Sequence, residues 1–288
     1  MNTILSLLPR YKIYLEHERK LAKQTVTAYM SDLRALATFA GDDVSTIKVN
    51  VLRAYMRDLS RQGMAVRTIR RKFHGFATFW RWLRMEGYVE DVITERIRLP
   101  RAEQKVPNWL NEEDLKTWFT TPAYSLRDDM AWKTLAWFGL RRSELLNLLV
   151  RDVRLTDKLL VIRKTKSKKD RTLTILDELI PGFAKLIEGK EDDDFVFKGD
   201  WGGQWSIGAF NRAFKKHVER CGLKGRITPH TLRHTFGTQL SERGTPIPTL
   251  QKLMGHQDMR STAQYAHASP EQLRLAMSRH VLNDIQKE

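Results

Sequence analysis

A chain of 288 residues with 41% apolar and 29% charged side chains is too apolar for disorder and long enough to bury two cores rather than one. Its formal charge of +16 divides evenly, +8 over residues 1–100 (18 Lys/Arg against 10 Asp/Glu) and +8 over 101–288 (32 against 24). Both parts can therefore face one polyanion, with nucleic acid favoured over an acidic membrane surface. The single cysteine, Cys221, excludes an intramolecular disulfide and a cysteine-built zinc site. The apolar start "ILSLLP" stops at Pro9 without a basic leader, so neither a membrane span nor an export signal is expected and a reducing cytoplasm fits.

In chain order, residues 4–90 read as helices. "QTVTAYMSDLRALATFA" puts Val26, Tyr29, Met30, Leu33, Leu36, Ala37 and Ala40 at helical spacing, with Gly41 and Asp42 as its stop. A second helix is expected from a cap at Ser45 to a stop at Gly63. A third, "AVRTIRRKFHGFATFWRWLRMEG", stacks Ile69, Phe73, Phe76, Phe79, Trp80 and Leu83 on one side, a stripe better suited to a core than to stacking on bases. Between Arg53 and Arg84 stand nine basic residues (Arg53, Arg57, Arg61, Arg67, Arg70, Arg71, Lys72, Arg81 and Arg84) and one acid, Asp58. Solvated helix faces mix signs, so this block suits a phosphate backbone.

Pro100 and Pro107 bracket an aperiodic polar stretch, read as a linker over 101–107. Asn111 can cap the next helix, and Glu112, Glu113 and Asp114 favour the positive end of its dipole. "LLVIR" (159–163) and "TLTI" (172–175) flank the basic loop "KTKSKKDR" as a hairpin or as two sheet strands with an exposed turn, and "FVF" (195–197) is a candidate strand. The expected fold is mainly α with a small β-sheet: a helical domain over 1–100, the linker, and a mixed α/β domain over 108–288.

Cutting a phosphodiester without a metal requires cations on the non-bridging oxygens, a nucleophile, and an acid for the departing oxygen. Arginine's planar fork suits the first task, tyrosine, serine or water the second, lysine or histidine the third. Four motifs resemble, in order and spacing, those of the tyrosine recombinases, or phage integrase family. "FGLRRSELLNL" (138–148) is similar to the first arginine box, which implies that Arg141 binds phosphate, with Glu144 one turn on as a brace. "KTKSKKDRTLTI" resembles the hairpin carrying the catalytic lysine. Counting back from Arg171 selects Lys166, with Lys164 the runner-up and Lys168 and Lys169 assigned to DNA or solvent. "HTLRHTF" (230–236) gives His230 and Arg233, and "LMGHQDMRSTAQYAH" (253–267) gives His256 and the nucleophile Tyr265. His217 and Arg220 in "HVER" repeat the His230–Arg233 spacing but lack such company, and are read as a solvated helix face.

The resemblance covers nearly the whole chain, because "KQTVTAYMSDLRAL" and "AVRTIRRKFHGFATFWRWLRMEGYVEDVI" are similar to the family's helical core-binding domain. It implies a clamp on double-stranded DNA carrying a specific recombination site. Tyr265 would form a 3′-phosphotyrosyl link and Lys166 would protonate the 5′-oxygen, with no metal and no cofactor. It also implies a homo-tetramer on paired sites, monomeric or weakly associated off DNA. Val92 and Ile93 replace the family's common Asn-Pro, which touches only the linker path. The start close to the core-binding domain leaves little room for an arm-binding domain, favouring a Xer-like or small-element recombinase for integration, excision or dimer resolution. A type IB topoisomerase-like nicking enzyme and a non-catalytic DNA-binding protein are the rivals. The tail from Ser269 to Glu288 reads as an amphipathic helix that either closes its own domain or passes to a neighbour.

Overall fold

Thr3 opens the first helix, α1 (Ile4–Ile13): its hydroxyl accepts from the Ser6 amide while the Ser6 hydroxyl accepts from the Thr3 amide. The computed structural model describes residues 2–101, 108–163 and 170–255, and the chain divides into two units, Met1–Lys105 and Val106–Glu288.

In the first unit, α2 (Lys23–Ala40) stops at Gly41, whose φ of +83° a side chain would resist. It is followed by α3 (Val49–Arg61) and α4 (Val66–Met85). The α4 stripe Ile69, Phe73, Phe76, Phe79, Trp80 and Leu83 is buried against Leu33, Leu36 and Leu52, each such side chain contributing roughly 1.5–3 kcal/mol. It is therefore core. Gly75 lets α4 approach α2, since a Cβ there would stand 2.9 Å from the Tyr29 ring.

Ser45 does not cap α3. The Asp43 carboxylate accepts from the Ser45 amide at 2.8 Å and caps a short turn, Val44–Thr46, while buried Ile47 keeps the chain extended until α3 begins after Lys48. The basic block is also less uniform in space than in sequence. Asp32, 4% exposed on α2, accepts from Arg71 Nη1 and Lys72 Nζ, each at 2.6 Å.

In the second unit, Asn111 caps α5 (Glu112–Thr120) by accepting from the Asp114 amide at 2.7 Å, and Ser125 caps α6 (Leu126–Phe138). A short α7 (Arg142–Leu146) leads into an antiparallel sheet of order β1 (Val153–Arg154), β2 (Leu159–Ile162), β3 (Arg171–Thr174), with Leu160 opposite both Val153 and Leu173. The expected hairpin supplies β2 and β3; β1 is too short to show alternation in sequence. "FVF" is not a strand. Phe195 makes a single bridge to Leu149, and Val196 and Phe197 are buried as an apolar clip.

Four helices follow among the described residues: α8 (Ile180–Ile187), α9 (Ile207–Cys221), α10 (Pro229–Glu242) and α11 (Ile247–Met254). Trp118, Trp132, Trp205, Phe210 and Phe214 form the centre of this core. His217 lies inside it, correcting its reading as part of a solvated face: it is 2% exposed, and its Nε2 stands 3.1 Å from the Trp118 carbonyl oxygen. Arg220, one turn on, stacks over the Tyr124 ring at 4.4 Å. No helix among the described residues is long and apolar enough to cross a membrane.

Candidate active site

Gly139 ends α6 in the left-handed conformation at φ +57°, and a Cβ there would collide with the Phe236 ring of α10. The turn puts Arg141 at the head of α7, where its amide donates to Glu144 Oε2 at 2.9 Å and its Nη1 to Glu144 Oε1 at 2.8 Å. Its Nη2 donates to the Gly255 carbonyl at 3.2 Å, at the end of α11. The side chain remains 37% exposed, so the guanidinium is braced on one side and open to a ligand on the other.

Arg233 is buried on α10. Its Nη1 donates to the Gly139 carbonyl and its Nη2 to the Met254 carbonyl at 2.5 Å, and Nη1 lies 3.9 Å from Glu144 Oε2. Glu144 thus faces both arginines named from the sequence. It also faces a third, Arg171 on β3, whose Nη1 and Nη2 donate to Oε1 and Oε2 at 3.0 and 2.8 Å. Burial alone would raise the Glu144 pKa, but the hydrogen bonds and charge of Arg171, then those of Arg141, overcome it and hold it at about 2. A permanent anion therefore gathers three cations.

In the sequence, Arg171 serves only as a landmark for counting lysines. The structure makes it a wall of the site, with a side chain 9% exposed, and Gly255 leaves it room: a Cβ there would stand 2.6 Å from Arg171 Nη1. His230 occupies an exposed position at the start of α10. Partial enclosure of its ring, then the charges of Arg233, Arg142 and Arg141, hold its pKa below the ordinary histidine value. His234, also passed over in the sequence, is lowered by burial, then by His230 and Arg233. Both shifts favour the neutral imidazole, which can donate or accept a hydrogen bond.

Lys164, Lys166, Lys168, Lys169, His256 and Tyr265 lie outside the described residues. In the first unit, Arg53, Arg57 and Arg61 are exposed on α3 and Arg67 on α4, while Arg70 donates to the Pro100 carbonyl at 2.9 Å. Among the described residues no group of three His, Cys, Asp or Glu side chains is placed to hold a metal ion.

Residues 108–272 match the model of the phage integrase family, and residues 8–87 match the N-terminal SAM-like domain of phage integrases. The chain belongs to the phage integrase family. Tyrosine recombinase XerC of Oceanobacillus iheyensis is 30% identical over 294 residues, spanning 96% of each chain. A tyrosine recombinase of Thermosipho africanus is 29% identical, over 92% of this chain and 96% of that one. Among solved structures, the Tn1549 transposon integrase in complex with a circular intermediate DNA has a TM-score of 0.80 at 18% identity, covering 97% of this chain and 99% of that one. A lambda integrase dimer bound to a core site gives 0.77 at 18%, covering 92% and 77%. At such identity these structures establish the shared fold. This phage integrase family member is a tyrosine recombinase, an enzyme of site-specific DNA recombination, and the topoisomerase-like and non-catalytic readings are not favoured.

Proposed function

We propose that Arg141, Arg233, His230 and His256 hold the scissile phosphate while the Tyr265 phenol attacks phosphorus and Lys166 protonates the departing 5′-oxygen. The 3′-phosphotyrosyl link retains the bond energy, so a partner strand's hydroxyl reverses the step. The observation that carries this reading is Glu144, which collects Arg141 and Arg233 from distant parts of the chain on one carboxylate, with His230 beside them. Two guanidiniums fixed before the substrate arrives need no reorganisation as charge develops on the phosphate. Arg171 positions Glu144.

The DNA is a duplex carrying a specific site, gripped through Arg53, Arg57, Arg61, Arg67, Arg70 and Arg71, with Lys164, Lys168 and Lys169 from the hairpin turn, while Lys72 is held on Asp32 inside the first unit. The protein acts in the cytoplasm, and four copies assemble on paired sites; a lambda integrase tetramer bound to a Holliday junction shares the fold at a TM-score of 0.76. A nicked suicide duplex tests the chemistry. Tyr265→Phe binds it as the wild type does and forms no covalent adduct. An adduct that persists in this variant overturns the assignment of the nucleophile.

A further inference from the structure

The basic side chains of the first unit sort by partner. Asp32 takes Arg71 and Lys72, Glu95 takes Arg81, and Asp91 takes Arg96. Arg57 and Arg61, one turn apart on α3, belong to none of these groups. They line a cavity of about 560 Å³ whose other walls are Met56, Ser60 and the stretch Arg98–Leu99–Pro100. Among the described residues no acidic side chain lines this cavity, and none pairs with Arg57, Arg61 or Arg98.

The wall opposite α3 is tied in place. Arg70 Nη1 donates to the Pro100 carbonyl at 2.9 Å and Arg53 Nη2 to the Arg96 carbonyl at 3.4 Å, while Met56 and Leu99 pack partly into the core below. Arg57, Arg61 and Arg98 bring three positive charges and no negative one to this surface, and guanidinium forks match the oxygens of a phosphate. The apolar floor of Met56, Leu99 and Pro100 suits the face of a sugar attached to that phosphate.

We propose that this cavity is a phosphate clamp, in which Arg57, Arg61 and Arg98 hold one phosphodiester of the DNA backbone with its deoxyribose against the apolar floor. The proposal rests on the reading of this chain as a DNA-acting recombinase. It adds Arg98, which lies outside the basic run that drew attention in the sequence. A phosphate contact carries no base information, so the clamp fixes register and supplies affinity on any duplex.

The test uses the full chain and a plain duplex of arbitrary sequence, with binding measured across a salt series. The Arg57→Gln/Arg61→Gln/Arg98→Gln variant loses the one phosphate contact and lowers the slope of log K against log salt by about 0.9, and Arg98→Gln alone weakens binding at low salt. A variant carrying Lys12→Gln, Lys23→Gln and Lys48→Gln, which removes the same charge elsewhere on the unit, leaves the slope unchanged. A triple arginine variant that is folded by circular dichroism and keeps the wild-type slope overturns the clamp, and so does wild-type affinity at low salt for Arg98→Gln should the triple variant not fold. If the triple variant binds one duplex normally but fails to join two copies, the cavity holds an acidic segment of a neighbouring copy and the proposal falls. A wild-type chain without salt-dependent binding would instead remove the recombinase reading on which the clamp depends.

Discussion

Both units bury a carboxylate among cations, and they use it differently. Asp32 receives two neighbours from a single helix, Arg71 and Lys72 of α4, and so fastens α2 to α4. Glu144 receives Arg141 from its own turn, Arg171 from a strand and Arg233 from α10 at 3.9 Å. One carboxylate closes a helix packing; the other assembles a site from motifs that the sequence scatters. A buried ion pair is a poor source of net stability, yet removing one partner leaves the others buried without a countercharge. The same deletion should therefore cost more where more cations depend on it.

The largest effect is expected from Glu144→Ala, which leaves Arg141, Arg171 and Arg233 facing one another. Denaturant unfolding should show a loss of about 3–5 kcal/mol, and single-turnover adduct formation should fall by at least ~100-fold, equivalent to roughly 2.7 kcal/mol of barrier. Wild-type cleavage in a folded Glu144→Ala protein would break the view of Glu144 as the organiser of the site.

Next comes the acid response. The Glu144 pKa is depressed from an ordinary 4.5 to about 2, so its contribution is fully present above pH 4.5 and is lost as pH falls from there towards 2. The part at stake is about 3 kcal/mol, and Glu144→Gln should flatten this part of the stability–pH curve. A Gln variant with the wild-type acid slope would place the titrating group elsewhere.

Asp32→Ala should cost less, about 2 kcal/mol, because Arg71 is 45% exposed and returns to water when released. Lys72, only 12% exposed, has no such escape, so a double-mutant cycle should couple Asp32 more strongly to Lys72 than to Arg71. Equal coupling would mean that exposure does not set the cost. Adduct formation by DNA-bound Asp32→Ala should match the wild type, since Asp32 fastens α2 to α4 within the first unit.

What sequence spacing could and could not reveal follows the same division. The α4 stripe was legible because helical periodicity is local, and the Asn111 cap because its partner is the amide three residues on. Asp32 gave no sign of pairing with Arg71 and Lys72, since nothing local links a residue of α2 to two of α4. His217 looked like surface because its neighbours in sequence are charged, and only the meeting of α5 with α9 encloses it. Arg171 was visible as a residue but not as a part, for its role exists only once β3 passes beside Glu144. The arginine boxes were readable through their resemblance to a family; the carboxylate that unites them required the fold.

Arg233 ends on two main-chain carbonyls, those of Gly139 and Met254, each standing two residues ahead of a box residue, Arg141 and His256. Main-chain acceptors ignore side-chain identity but depend on register. Point changes at 139 and 254 that the local backbone tolerates would leave these bonds intact, whereas inserting or deleting one residue between 139 and 141, or between 254 and 256, would carry a box out of alignment with its anchor. The turns around Gly189 and Gly202 are tied differently, the Val196 amide donating to the Leu148 carbonyl and Gln204 Nε2 to the Leu146 carbonyl, and extra residues there would leave the spacings 139–141 and 254–256 as they are. In a lineage of such enzymes, length should drift in those turns and stay frozen beside the two carbonyls.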